Sequence, residues 1–187
     1  MTLLRSRSIP TLEEFLKLPE TKPAREYIDG KIYQKSMPQG KHSRLQSKLV
    51  SAINQAGESQ KLALALTELR CTFAGRSIVP DIAVFEWQNI PLDKNGQIAN
   101  RFTIAPDWII EILSPNQPAN QIMRKIIFAL NNGTKLGYFI DPDDESVTMF
   151  QPNQLPEVKE KQDILPVLDV LQWQLKVEDM FGWLSFS

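Results

Sequence analysis

The stretch Asp107-Trp-Ile-Ile-Glu-Ile-Leu-Ser114 places one acid, Glu111, inside a run that is otherwise apolar at both alternating positions. Successive side chains of a strand point to opposite faces, so Trp108, Ile110 and Ile112 line one face while Ile109, Glu111 and Leu113 line the other. Apolar residues on both faces predict a central strand covered on both sides. A carboxylate buried there alone would neutralise, so an ionised Glu111 calls for a cation, a metal or a dense set of donors. A second acid, Asp81, lies in the similar run Ser77-Ile-Val-Pro-Asp-Ile-Ala-Val-Phe85, where it is expected to share a strand face with Val79, Ala83 and Phe85. Two acids on neighbouring strands are the smallest constellation that can hold a hard divalent cation.

Outward from these runs, the pattern alternates between strand and helix signals. Upstream, Leu62 to Phe73 and Ile78 to Phe85 read as an antiparallel pair of strands joined through Ala74-Gly75-Arg76. Before them, Leu45, Leu49, Ala52, Ile53 and Ala56 recur at helical spacing, which predicts an amphipathic helix from His42 to about Gln55 with a basic flank of Lys41, Arg44 and Lys48. Asp29-Gly30, between two β-prone segments of Glu26 to Tyr33, predicts an N-terminal β-hairpin, and Thr11-Leu-Glu-Glu14 predicts a capped short helix. Downstream, Gln117 to Asn132 reads as a helix with Ile122, Met123, Ile126, Ile127 and Leu130 on one face. Leu136 to Ile140 and Val147 to Phe150 follow as strands about an Asp141-Pro-Asp-Asp144 turn. The polar excursion Glu86 to Ala105 is long enough for a flap, a specificity loop or a surface insertion without a role.

The bulk properties bound the possibilities. A chain of 187 residues without a composition shift predicts a single domain over 1–187, with a core of about 26–150 and peripheral arms at 1–25 and 151–187. No apolar run approaches the roughly 20 residues of a membrane span, and Met1 to Glu20 is broken by charges and prolines, so neither membrane insertion nor export is expected. One cysteine, Cys71, cannot form an internal disulfide and suits a reducing cytoplasm. A net charge of −1 provides no global pull toward nucleic acid, so DNA binding would need a local basic face or metal ions.

Taken in order, helix, strand, strand, strand, helix, strand with acids on the second and third strands is the layout of a restriction-endonuclease-like core: an α/β (α+β) fold with a mixed central sheet flanked by helices. Pro80-Asp81 followed by Glu111-Ile112-Leu113 resembles the PD-(D/E)XK nuclease signature, with Leu113 where that pattern has lysine. A lysine displaced to the following helix, Lys125, together with Glu26-Tyr-Ile-Asp-Gly-Lys, Glu111-Ile-Leu-Ser-Pro115 and Gly137-Tyr-Phe-Ile-Asp-Pro142, resembles the Uma-type restriction endonucleases common in cyanobacteria. That resemblance covers roughly Glu26 to Phe150. It implies a DNA endonuclease in which Asp81, Glu111 and the backbone carbonyl of Ile112 ligate Mg²⁺ or Mn²⁺, Lys125 holds or activates the attacking water, and Glu26 is a further ligand or a base. Gln121 stands where many members of the family carry an aspartate.

Each of these residues also has a structural reading. Asp81 after a proline can shape a turn, Glu111 can form a buried ion pair, and Lys125, about 40° past Ala129 on a helical wheel, can be solvated at the stripe edge. His42, Lys41, Arg44 and Lys48 form either a DNA-facing edge or a solvated helix face. The apolar tail with Phe181 and Trp183 packs on the core or on the partner in a homodimer. The rival to an active nuclease is a nuclease fold without catalysis that serves as a nucleic-acid-binding or assembly module, and a metalloenzyme acting on another phosphate substrate is a third reading.

Overall fold

The computed structural model describes residues 9–186. Helix α1 (Leu12–Leu16) opens with a capping box in which the Glu14 amide donates to Thr11 Oγ1 and the Thr11 amide donates to Glu14 Oε2. Strands β1 (Arg25–Ile28) and β2 (Lys31–Gln34) form the expected hairpin, with Ile28 opposite Lys31. Asp29 and Gly30 both lie at positive φ, 50° and 79°, the two-residue turn whose twist matches that of the flanking strands. Helix α2 (Gly40–Gly57) follows, with Leu45, Leu49 and Ile53 fully buried.

The two runs expected as continuous strands, 62–73 and 78–85, are each broken in two. They yield β3 (Ala63–Thr67), β4 (Cys71–Phe73), β5 (Arg76–Ile78) and β6 (Ile82–Glu86). Glu68 at φ 50° turns the chain out of β3, and Pro80, which has no amide hydrogen to give to a ladder, separates β5 from β6. The pieces then sort into different sheets. β4 and β5, joined as expected through Ala74-Gly75, complete a four-stranded sheet in the order β2-β1-β5-β4, while β3 and β6 pair antiparallel in the main sheet. Asp81 therefore stands just before β6, at the junction of the two sheets, and not on a strand face as expected.

The remaining elements are β7 (Trp108–Ile112), α3 (Ala119–Leu130), β8 (Leu136–Asp141), β9 (Ser146–Phe150), β10 (Glu157–Glu160), the short pair β11 (Ile164–Leu165) and β12 (Leu175–Lys176), and α4 (Val177–Gly182). The main sheet is mixed, in the order β10-β9-β8-β7-β6-β3, with β7 and β8 parallel and the other neighbours antiparallel. A parallel pair needs a crossover, and α3 supplies it. Every residue of β6 and of β7 is buried. One face, with Val84, Trp108 and Ile110, packs on α2 and α4; the other, with Phe85, Ile109 and Phe139, packs on α3 through Ile122, Ile126 and Ala129.

The segment after Phe150, expected as a peripheral arm, adds β10 to the sheet edge and buries Leu165, Leu168, Leu171, Leu175, Val177, Met180 and Phe181 in the core on the α2 side. The reason is coverage: α2 alone does not shield that face of six strands. The apolar tail is thus used within its own chain. The 86–105 excursion is likewise folded, anchored by the buried Phe102, whose ring meets Phe85 at 4.8 Å and whose carbonyl accepts from the Thr72 amide. It leaves β6 and rejoins β7 at the sheet end opposite Asp81 and Glu111. Among the described residues no helix is long and apolar enough to cross a membrane.

Candidate active site

β6 and β7 pair with Ile82 opposite Ile110, and continuing that register by one residue sets Asp81 opposite Glu111. The two acids are cross-strand neighbours, and the Ile112 amide donates to Asp81 Oδ2 at 2.8 Å, tying one strand end to the other. Each acid has its own cation. Lys125 is buried on the inner face of α3, not at a solvated stripe edge, and its Nζ lies 2.9 Å from Glu111 Oε1 and 2.9 Å from Glu26 Oε1. Glu26, on β1, also accepts the Val79 amide at 2.7 Å, so one carboxylate joins the hairpin, the segment leading into Asp81, and α3.

Asp81 is held from three directions. Lys35, in the loop after β2, places Nζ 2.7 Å from Asp81 Oδ1, and the same ammonium bridges to Glu68 at 2.9 Å. His42, in the first turn of α2, brings Nε2 to 3.0 Å from Asp81 Oδ2, while its buried Nδ1 has no hydrogen-bond partner among the described residues. One turn further along α2, Gln46 donates to the Asp81 carbonyl at 2.8 Å and to Glu68 at 3.1 Å. Sequence reasoning passed over Lys35, Gln46 and Glu68. A lysine in a loop, a glutamine off the apolar stripe and an acid in a turn have no pattern of their own; only the junction of the two sheets brings them to Asp81.

Three buried carboxylates, Glu26, Asp81 and Glu111, face two buried ammonium groups. The shortfall settles on Glu111. Burial pushes its carboxyl from 4.5 up to about 8, opposed by Lys125 and reinforced by Asp81. Asp81 goes the other way: burial would raise it, but Lys35 first and then His42 hold it well below the usual carboxylate range. Lys125 and Lys35 both resist burial because of the acids around them, Glu111 foremost for Lys125 and Asp81 foremost for Lys35, and both are shifted upward.

No ready-made cluster of three histidine, cysteine or acid ligands exists among the described residues. Mg²⁺, however, is commonly held by one or two carboxylates with water and substrate phosphate completing its shell, and the facing Asp81 and Glu111 fit that use. Glu111 Oε1 is buried and makes no aligned hydrogen bond, even with Lys125 close by. The third carboxyl, which no ammonium balances, is the one a divalent ion would serve.

A cleft of about 480 Å³ opens between the first turn of α2 (Gln39 to His42), the turn after β7 (Leu113 to Gln117) and the turn after β8 (Asp141 to Asp143); Asp81 and Glu111 do not line it, and His42 connects it to Asp81. It lies outside the carboxyl ends of the two parallel strands, the usual place for a ligand in a sheet of this kind. Leu113 lines it where the nuclease signature has lysine. Of the predicted basic edge, Lys41 lines the cleft and pairs with Asp143 at 2.7 Å, both side chains exposed. Arg44 is instead engaged by the C-terminal segment, donating to the Trp183 carbonyl at 3.1 Å and lying over the Phe186 ring, and Lys48 is half-buried farther along α2. Gln121 is exposed one turn before Lys125.

The family model described as "Putative restriction endonuclease", Uma2, matches residues 12–178. No curated protein matches the chain. Among solved structures, the chain is similar to the crystal structure of a "putative nuclease belonging to DUF820" from Anabaena variabilis ATCC 29413, at 51% identity over 94% of this chain and 99% of that one, with a TM-score of 0.93. With the mixed six-stranded sheet and its flanking helices superposing this closely, and the family model spanning nearly the whole length, the chain belongs to the Uma2 restriction-endonuclease family.

Proposed function

We propose that this protein is a divalent-metal-dependent nuclease that hydrolyses phosphodiester bonds of DNA. The observation that carries the reading is the facing pair Asp81 and Glu111, with a buried lysine on Glu111, behind a cleft whose lining residue His42 contacts Asp81. Asp81, Glu111 and the Ile112 carbonyl would hold Mg²⁺ or Mn²⁺. Such an ion, when bound, draws charge from a phosphate oxygen and favours hydroxide from a bound water.

The chain's own residues divide the remaining work. Lys125 stays protonated between two acids, so it donates and does not accept; its part is to hold a water or a phosphate oxygen. Glu26 keeps that ammonium in place and, through the Val79 amide, fixes the approach to Asp81; it serves better as a positioning group than as a ligand. His42 lines the cleft while its Nε2 contacts Asp81, and Lys41 stands at the mouth, where its ammonium suits a substrate phosphate. Arg44 and Lys48 belong to the same basic flank, with Arg44 acting only if it leaves Trp183.

The test is Mn²⁺ and Mg²⁺ calorimetry with plasmid cleavage on wild type and Asp81→Asn. Binding and cutting are both expected to be lost in the variant. Undiminished cleavage by an Asp81→Ala, Glu111→Ala double variant would end the proposal. A second reading, a non-catalytic nucleic-acid-binding module, draws support from Leu113 in the signature's lysine position and from the donors already engaging both Asp81 oxygens. It predicts DNA binding that is indifferent to either metal.

A further inference from the structure

We infer that Lys35 is the resident counter-ion of Asp81 and that a divalent cation enters by displacing its ammonium onto Glu68, so that Lys35 and Glu68 together set the metal affinity of the site. This rests on the proposal that Asp81 is a metal ligand. Both oxygens of Asp81 are engaged: Oδ1 by Lys35 Nζ at 2.7 Å, and Oδ2 by the Ile112 amide at 2.8 Å and His42 Nε2 at 3.0 Å. A hard cation binds through an oxygen lone pair, and at Oδ1 the ammonium takes one of the two and would sit directly beside any cation on the other. Retaining both lysines beside a divalent ion would also crowd like charges into a buried space, where repulsion is screened far less than in water.

One ammonium must therefore withdraw, and the geometry selects which. Lys125 is carried by a helix whose flanking residues Ile122 and Ile126 are locked in the core, and it is gripped by Glu26 and Glu111 together. Lys35 belongs to a short loop outside any helix or strand. Its ammonium already bridges Asp81 and Glu68, and the Glu68 side chain is 43% exposed and steadied by Gln46. Moving toward Glu68 costs Lys35 one ion pair and retains the other. The side chain thus has a prepared second seat at the solvent edge, which Lys125 lacks.

The experiment is Mn²⁺ titration by calorimetry on the full chain in wild type, Lys35→Met, Glu68→Ala, the Lys35→Met, Glu68→Ala double variant, and Asp81→Asn. Lys35→Met is expected to bind Mn²⁺ at least tenfold more tightly than wild type. Glu68→Ala, which removes the second seat, is expected to bind several-fold more weakly, and this loss should vanish in the Lys35→Met background. Equal or weaker binding by Lys35→Met, with binding still abolished by Asp81→Asn, overturns the role of Lys35 while leaving Asp81 as a ligand. Absence of binding in wild type and Lys35→Met alike overturns the metal reading and this inference with it. Should Lys35→Met not fold, Lys35→Gln takes its place, and Glu68→Ala decides alone if neither folds: unchanged affinity there sinks the displacement.

Discussion

Lys125 is the cation shared by Glu26 and Glu111, and its removal leaves two buried carboxylates facing each other. Breaking a buried pair from one side typically costs about 3–5 kcal/mol, so Lys125→Met is expected to lose that much stability in denaturant unfolding, and adding Glu111→Gln should restore part of it. Glu111 itself sets a pH dependence. Its carboxyl titrates near 8 in the folded chain against 4.5 as its ordinary value, so between those limits the native state keeps a proton that the unfolded state has released. The sign follows: this group's contribution is fully present below about pH 4.5 and is lost as pH rises through about 8. In metal-free urea unfolding, Glu111→Gln should therefore gain on wild type from pH 5 to pH 8, on the order of 3–4 kcal/mol. A difference that is flat with pH would show that Glu111 is ionised throughout. Asp81 has the opposite sign, stabilising above its ordinary 3.8 and losing that contribution as pH falls.

At the scale of elements, the site depends on how closely α3 lies on the sheet. Gly137 on β8 faces Ile126, and a methyl group at that position would come within 2.4 Å of Ile126 Cγ2. Lys125 is the neighbour of Ile126, so the contact that seats the helix also sets the reach of the ammonium. Gly137→Ala is expected to destabilise by about 1–3 kcal/mol through overpacking, measured as a lower denaturation midpoint at unchanged slope. The same variant should reduce cleavage more than Mn²⁺ affinity if Lys125 works on substrate. The hairpin β1–β2 matters in the same way: it is far from β7 in sequence, yet it delivers both Glu26 and, just past its end, Lys35.

For the whole molecule, the C-terminal segment decides whether the sheet is covered. Ending the chain at Phe150 would expose the sheet edge now paired with β10 and remove seven buried apolar residues from the core on the α2 side. Each such side chain contributes about 1.5–3 kcal/mol, so their sum, on the order of 10–20 kcal/mol, is as large as the roughly 5–15 kcal/mol by which a domain is stable. The truncated chain is expected to show no cooperative unfolding transition by circular dichroism. A folded 1–150 fragment would refute the structural role given to this segment.

The sequence alone was enough for the identity of the elements around Glu111 and for singling out the two acids as candidates, because strand and helix periodicity are local and a carboxylate in an apolar run violates a local rule. The hairpin turn was equally legible, since Asp-Gly specifies its own backbone. What the sequence left undecided were the breaks at Glu68 and Pro80 that divide the strands between two sheets, the burial of Lys125, and the arrival of Lys35, Gln46 and Glu68 at Asp81. These depend on residues up to 99 positions apart being brought within hydrogen-bond reach, as Glu26 and Lys125 are. No local pattern encodes such a meeting; the packing of the ribbon, α2 and α3 around the junction of the sheets determines it, and with it the charge balance of the site.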